Sequence, residues 1–310
     1  MLIIPQETIF SKWEMHKRQS EKMAKKLAKC KNISPSRVAR MLTCGDTLGM
    51  AYCPSCQKTH IVHNSQCRDR LCPLCSWRLS IKRYHEMLEV LDYLKPQMDN
   101  KRVAMLTLTV RNVKPQDLRQ CLADLSKAWK RLHQSKIFRS VWGWARCTEI
   151  TYNSQTKTMH PHMHILLIIT EENAADIASM MGQLKAGWKA AARLKYNPII
   201  DLREAYSKNG DRDIIACAGE AFAYSIKPAT TAAMSLSHLA IFADSIAGYR
   251  FIGYGGSIKA ARAALGIVDT EDTEDSHSEE ICTCGTPLEH MVLAWSAGGY
   301  RRLQREEVGI

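Results

Sequence analysis

The stretch "MHPHMHILLI", residues 159–168, alternates apolar residues with histidine before becoming wholly apolar. Side chains of a strand point alternately to its two faces. A strand therefore puts His160, His162 and His164 on one face and Met163, Ile165 and Leu167 on the other. Residues two apart on a strand have Cα atoms roughly 7 Å apart, close enough for their imidazoles to converge on one divalent cation if a carboxylate or a third imidazole completes the set. A single histidine here would be read as a hydrogen-bonding group in a half-buried sheet. Three in register favour a metal.

The neighbouring segments build a sheet around this strand. "WARCTEITY" (144–152), the polar turn "NSQTKT" and residues 160–169 form a hairpin. With the turn centred near Gln155 and Thr156, Glu149 falls roughly opposite His162, so Glu149 and His160 are both candidates for the third ligand. "RVAMLTLTV" (102–110) is a further strand and "NPIIDLR" a short one. Helical spacing covers 77–94, 115–135, 172–195 and about 212–227, and 249–266 reads as a strand, a glycine bend and a helix. This is an α+β pattern: a central antiparallel sheet carrying the histidine strand, flanked by helices.

Lys and Arg outnumber Asp and Glu by 43 to 31, giving a net charge of +12. Residues 11–40 alone hold ten Lys or Arg against Glu14 and Glu21. Residues 11–30 read as an exposed basic helix, and the charge points to a polyanionic partner, nucleic acid above all. Nothing approaches the roughly eighteen continuous apolar residues of a membrane helix, and "MLIIPQETIF" lacks the pattern of a signal peptide. A cytoplasmic protein with no membrane partner is expected.

Six of the twelve cysteines lie between Cys44 and Cys75. "CPSC" (Cys53, Cys56) and the second pair of "CRDRLCPLC" (Cys72, Cys75) match a four-thiolate structural zinc site, which would fold a segment too small for a core of its own. Cys44, His60, His63 and Cys67 are additional candidates; Cys282, Cys284 and His290 form a weaker set. The chain then divides into a basic helical segment (1–43), a zinc-binding module (44–80), a catalytic domain (81–268), and an acidic linker, "DTEDTEDSHSEE", with a C-terminal tail (269–310).

In "GEAFAYSIKP", Glu220, Tyr224 and Lys227 are spaced four and three apart, one face of a helix. A tyrosine has a pKa near 10, so it needs a neighbouring cation to act as a nucleophile. Beside a histidine metal site and a basic front end, the three suggest phosphoryl transfer. A DNA-binding regulator with structural histidines, and a hydrolytic metallonuclease, are the alternatives.

The series "CRDRLCPLCSWR", "LTLTV", "HPHMHILL", "EAFAYSIK" and "RFIGYGGSIK" resembles the rolling-circle plasmid replication initiators of the HUH endonuclease superfamily, single-tyrosine group. The match spans about residues 44–266. The resemblance implies Mg or Mn at His162 and His164, nicking of one DNA strand by Tyr224 through a 5′-phosphotyrosine, and a water-activating role for Glu220 at termination. It implies DNA at a plasmid origin, single-stranded or cruciform, as the partner, with host helicase and polymerase. The zinc-binding front also resembles that of rolling-circle insertion-sequence transposases, which share the chemistry.

Overall fold

The computed structural model describes residues 6–205, 226–269 and 280–304. Among these the order is α1 (Gln6–Leu27), α2 (Pro35–Leu42), β1 (Thr47–Tyr52), β2 (Thr59–Asn64), α3 (Pro73–Leu94), β3 (Lys101–Thr109) and α4 (Leu118–His133). There follow β4 (Val141–Asn153), β5 (Thr158–Thr170), α5 (Glu171–Ala175), α6 (Ile177–Ala191), β6 (Ile200–Glu204), α7 (Pro228–Ala233), α8 (Leu236–Ser245), β7 (Ile252–Gly255), α9 (Gly256–Ala264), β8 (Glu289–Ser296) and β9 (Gly299–Arg302). No described helix is long and apolar enough to cross a membrane.

Two compact units are distinguished. Residues 1–79 and 270–310 form one and residues 80–269 the other. In the first, β8 pairs with β1 along the whole strand, from Thr47↔Ala294 to Tyr52↔Glu289.

In the 80–269 unit five antiparallel strands run in the order β6-β3-β5-β4-β7. The histidine strand is central and hydrogen-bonded on both sides. The alternation over 159–164 ends in Ile165–Ile169, all buried, as expected where a strand is covered on both faces. Its neighbour β3 changes character at the same place: Val103–Leu106 are buried, while Thr107 and Thr109 are half-exposed. The register joins these halves, Leu106↔Ile165 and Thr107↔His164. One end of the sheet is thus sealed on both faces, and the other leaves the histidine face partly open.

Helical spacing supplies the cover. α4 buries Leu118, Leu122, Leu125, Trp129 and Leu132, and α6 buries Met180, Leu184, Trp188 and Ala191, both at the three-to-four residue interval of one helix face. The Trp188 indole also donates to the Thr109 carbonyl at 2.9 Å. The glycine bend before α9 has a steric cause. Gly256 has φ +58°, and a Cβ there would lie 2.3 Å from the Trp142 carbonyl oxygen, so neither the conformation nor the space admits a side chain.

In the other unit four antiparallel strands run in the order β2-β1-β8-β9. The expectation of an exposed basic helix over 11–30 is corrected here. Trp13, Lys17, Ser20, Ala24 and Leu27 of α1 are buried, a stripe at helical spacing with a lysine inside it. The Lys17 ammonium donates to the Leu42 carbonyl at 2.6 Å and to Asp46 at 2.5 Å, with Glu21 at 3.7 Å. That set of oxygens makes burial of the charge tolerable. α2 is capped by the Ser34 hydroxyl, which accepts from the Arg37 amide, and Arg37 grips Asp69 with two nitrogens, at 2.5 and 3.0 Å.

Candidate metal and nucleophile site

The hairpin β4–β5 turns at Gln155 and Thr156, between Asn153↔Thr158, and sets Glu149 directly across from His162. On the open face the Glu149 carboxylate lies 3.4 Å from His162 Nε2 and 3.3 Å from His164 Nε2. The ligand atoms of these three residues all fall within 4.8 Å of one another. His160 is not in this group. Its ring stacks on that of His162, centroids 5.2 Å apart, and burial, followed by the charge of His162, lowers its pKa.

The second nitrogens of the two imidazoles are also engaged. His164 Nδ1 is 3.4 Å from the Thr107 hydroxyl, and His162 Nδ1 is 3.2 Å from the His160 carbonyl. Such partners fix the ring orientation and leave Nε2 facing the site. Lys227 sits at the start of α7 as its N-cap, and its ammonium reaches Glu149 at 2.6 Å. Burial by itself would raise the Glu149 pKa, but hydrogen bonds with His162, His164 and Lys227 hold the carboxyl far below the usual carboxylate range. A carboxylate that stays ionised beside two imidazole nitrogens is a donor set that fits a divalent cation. Glu220 and Tyr224, like most of the helix expected over 212–227, lie outside the described residues.

The cysteines assemble differently from the expected Cys53–Cys56–Cys72–Cys75 set. Cys72 and Cys75 join Cys44 and Cys67, all four buried. Cys53 and Cys56 instead join Cys282 and Cys284. The reason is the strand order: β8 lies against β1, so the end of β1 that leads into Cys53 meets the segment preceding β8. Neither group includes His63 or His290. Spacing alone makes Cys44 and Cys67 extras and Cys282 and Cys284 a weaker set; Thr107 shows only as a polar position of β3 until the register sets it opposite His164.

A buried carboxylate and paired imidazoles on adjacent strands of an antiparallel sheet, with a lysine at the rim, define a protein with a metal-type centre on the face of an α+β domain. The particular family follows from comparison: a replication protein family (Rep_1) matches residues 53–302, and the chain belongs to it. This bears out the resemblance to rolling-circle replication initiators drawn from the order of the motifs. Among similar curated proteins are "Protein rep" of Lentilactobacillus hilgardii, 32% identical over 214 residues, 66% of this chain and 68% of that protein. "Protein rep" of Streptococcus pneumoniae serotype 2 (strain D39 / NCTC 7466) is 26% identical over 269 residues, covering 84% and 82%. "Protein rep" of Bacillus amyloliquefaciens is 29% identical over 255 residues, covering 76% and 75%. No solved structure matches the chain significantly.

Proposed function

We propose that this replication protein is a site-specific single-strand DNA endonuclease and strand transferase that initiates and terminates rolling-circle replication of a plasmid. The observation that carries this reading is the convergence of Glu149, His162, His164 and Lys227 on one sheet face. Tyr224 stands three residues before Lys227. A fully extended chain covers about 10–11 Å in three residues, so the nucleophile and the rim lysine share a short tether.

In this reading the Tyr224 oxygen attacks the scissile phosphorus as the phenolic proton leaves. A new P–O bond to tyrosine forms, the bond from phosphorus to the 3′ oxygen breaks, and the freed 3′-OH becomes the primer. The 5′-phosphate stays on Tyr224, which conserves the bond energy for rejoining without a nucleotide cofactor. Lys227, carrying positive charge beside Glu149, favours the phenolate and the charged phosphate alike. Glu220 acts as the general base on water at termination, where a second tyrosine would only form another adduct. His162, His164 and Glu149 would hold a divalent cation, Mg or Mn, which would supply charge neutralisation for the phosphate. Cys44, Cys67, Cys72 and Cys75 would hold a structural zinc, and the net charge of +12 favours contact with DNA at the origin.

The test is to incubate the protein with Mn and labelled single strands of its own replicon, then look for a protein–DNA adduct that survives denaturation. The adduct is expected with wild type, absent with Tyr224→Phe, and reduced by about 10²–10³-fold with His162→Ala, the size typical of a lost electrostatic contribution to catalysis. Tight binding without any adduct would leave a DNA-binding regulator as the function.

A further inference from the structure

The grouping of Cys53 and Cys56 with Cys282 and Cys284 is unused by the nicking reading and is independent of it. We propose that the 1–79/270–310 unit carries two tetrathiolate zinc sites, the second built by these four cysteines and fastening residues 280–304 to the end of β1.

Three observations support it. The first is sulfur geometry. Cys53 Sγ lies 3.5 Å from Cys284 Sγ, and Cys56 Sγ 3.5 Å from Cys282 Sγ. A disulfide would bring sulfurs to about 2.05 Å, whereas a tetrahedron with Zn–S bonds of about 2.3 Å has edges of about 3.8 Å. The fully buried group shows the same spacing, with Cys44–Cys75 at 3.4 Å and Cys67–Cys75 at 3.7 Å.

The second is the backbone. In each group two cysteines are followed by a left-handed residue: Gly45 (φ 74°) and Arg68 (φ 54°) after Cys44 and Cys67, Gln57 (φ 55°) and Gly285 (φ 85°) after Cys56 and Cys284. Arg68 and Gln57 carry a Cβ and hold this conformation against its steric cost. In the second group the turn brings the amide two residues on to the cysteine sulfur, that of Lys58 to Cys56 and that of Thr286 to Cys284, a bond that favours the thiolate. The loops are closed by Cys53 N donating to the Lys58 carbonyl at 2.9 Å and Cys282 N donating to the Thr286 carbonyl at 2.8 Å.

The third is assembly. The two loops are joined by a hydrogen bond from the Thr286 hydroxyl to Ser55 at 2.9 Å, at the end of β1 where Tyr52 pairs with Glu289. Four soft sulfurs with no oxygen or nitrogen ligand select zinc over the harder cations suited to the histidine site. The two sulfur sites differ in access. Cys44, Cys67, Cys72 and Cys75 are all buried, while Cys56 is half-buried and Cys284 exposed. The second site therefore exchanges its metal faster.

The experiment counts zinc in the full chain purified under reducing conditions and follows its release to a chromogenic chelator. Wild type is expected to hold two zinc ions per chain and to release one quickly and one slowly. Cys282→Ser/Cys284→Ser is expected to hold one, losing only the quick phase. Cobalt substitution gives a second readout: the sulfur-to-cobalt absorption of wild type should fall by half in the double variant. If that variant fails to fold, the wild-type count decides. A single zinc in wild type, two in the double variant, or Cys53–Cys284 and Cys56–Cys282 disulfides in the non-reduced protein would overturn the proposal.

Discussion

In the 80–269 unit the strand bearing His162 and His164 continues into Ile165–Ile169, five buried aliphatic residues at the centre of a five-stranded sheet. In the other unit β1 is also central to its sheet, but it continues into Cys53, and cysteines stand among the aliphatic side chains around it. The first unit buries hydrocarbon on both sides of its sheet, and that packing carries the scaffold on which hydrogen-bonded ligands sit. The second buries a lysine and six of its eight clustered cysteines beside apolar side chains such as Trp13, Leu27, Met41, Leu48 and Leu74. Metal ligands are thus passengers on one scaffold and structural members of the other.

Chelation should separate the two most sharply. Structural zinc contributes apparent free energies of about 10–16 kcal/mol in small modules, so exhaustive chelation is expected to abolish hydrogen-exchange protection of the amides in β1, β2 and β8. Those of β3 and β5 should keep theirs. Uniform loss across both sheets would show that the contrast is misplaced. A smaller effect is expected from the ion pair of the buried Lys17. Asp46→Ala leaves the Lys17 ammonium with the Leu42 carbonyl, the more distant Glu21 and the Trp295 ring, and, because Asp46 is itself partly exposed, should cost about 1–2 kcal/mol. Lys17→Met added to Asp46→Ala should restore most of that, because an apolar replacement removes the uncompensated charge; denaturant unfolding of the two variants measures the difference. Smallest is Thr107→Val, which removes the hydroxyl beside His164 Nδ1 and should weaken divalent-metal affinity about tenfold without changing stability. Calorimetric titration with Mn checks it, and an unchanged affinity would mean that packing alone orients the ring.

The same contrast explains what could be read in the sequence. The hairpin, its turn at Gln155 and Thr156, and the pairing of Glu149 with His162 were legible because strand alternation and a short polar turn are local rules. So was the strand–bend–helix at Tyr254–Ser257. The stripe on α1 was hidden because Lys17 stands in the middle of it and reads as surface; only the fold brings Asp46 and the Leu42 carbonyl to it. The grouping of the cysteines was also out of reach, since spacing along the chain favours joining neighbours, and what joins Cys53 to Cys284 is a strand pairing between distant segments. Strands β1 and β2 lay in a stretch that read only as turn-rich and cysteine-rich.

That distant pairing bears on how the protein is made. Residue 47 faces residue 294, so a ribosome must translate nearly the whole chain before β1 acquires its second neighbour. Until then one edge of β1 is open, the condition that invites pairing with other chains, and the domains of a nascent protein otherwise settle in the order they emerge. A polypeptide cut short before residue 282 has two cysteines waiting for partners that never arrive. Residues 289–294 are thereby written into the stability of residues 47–52, translated some time before them.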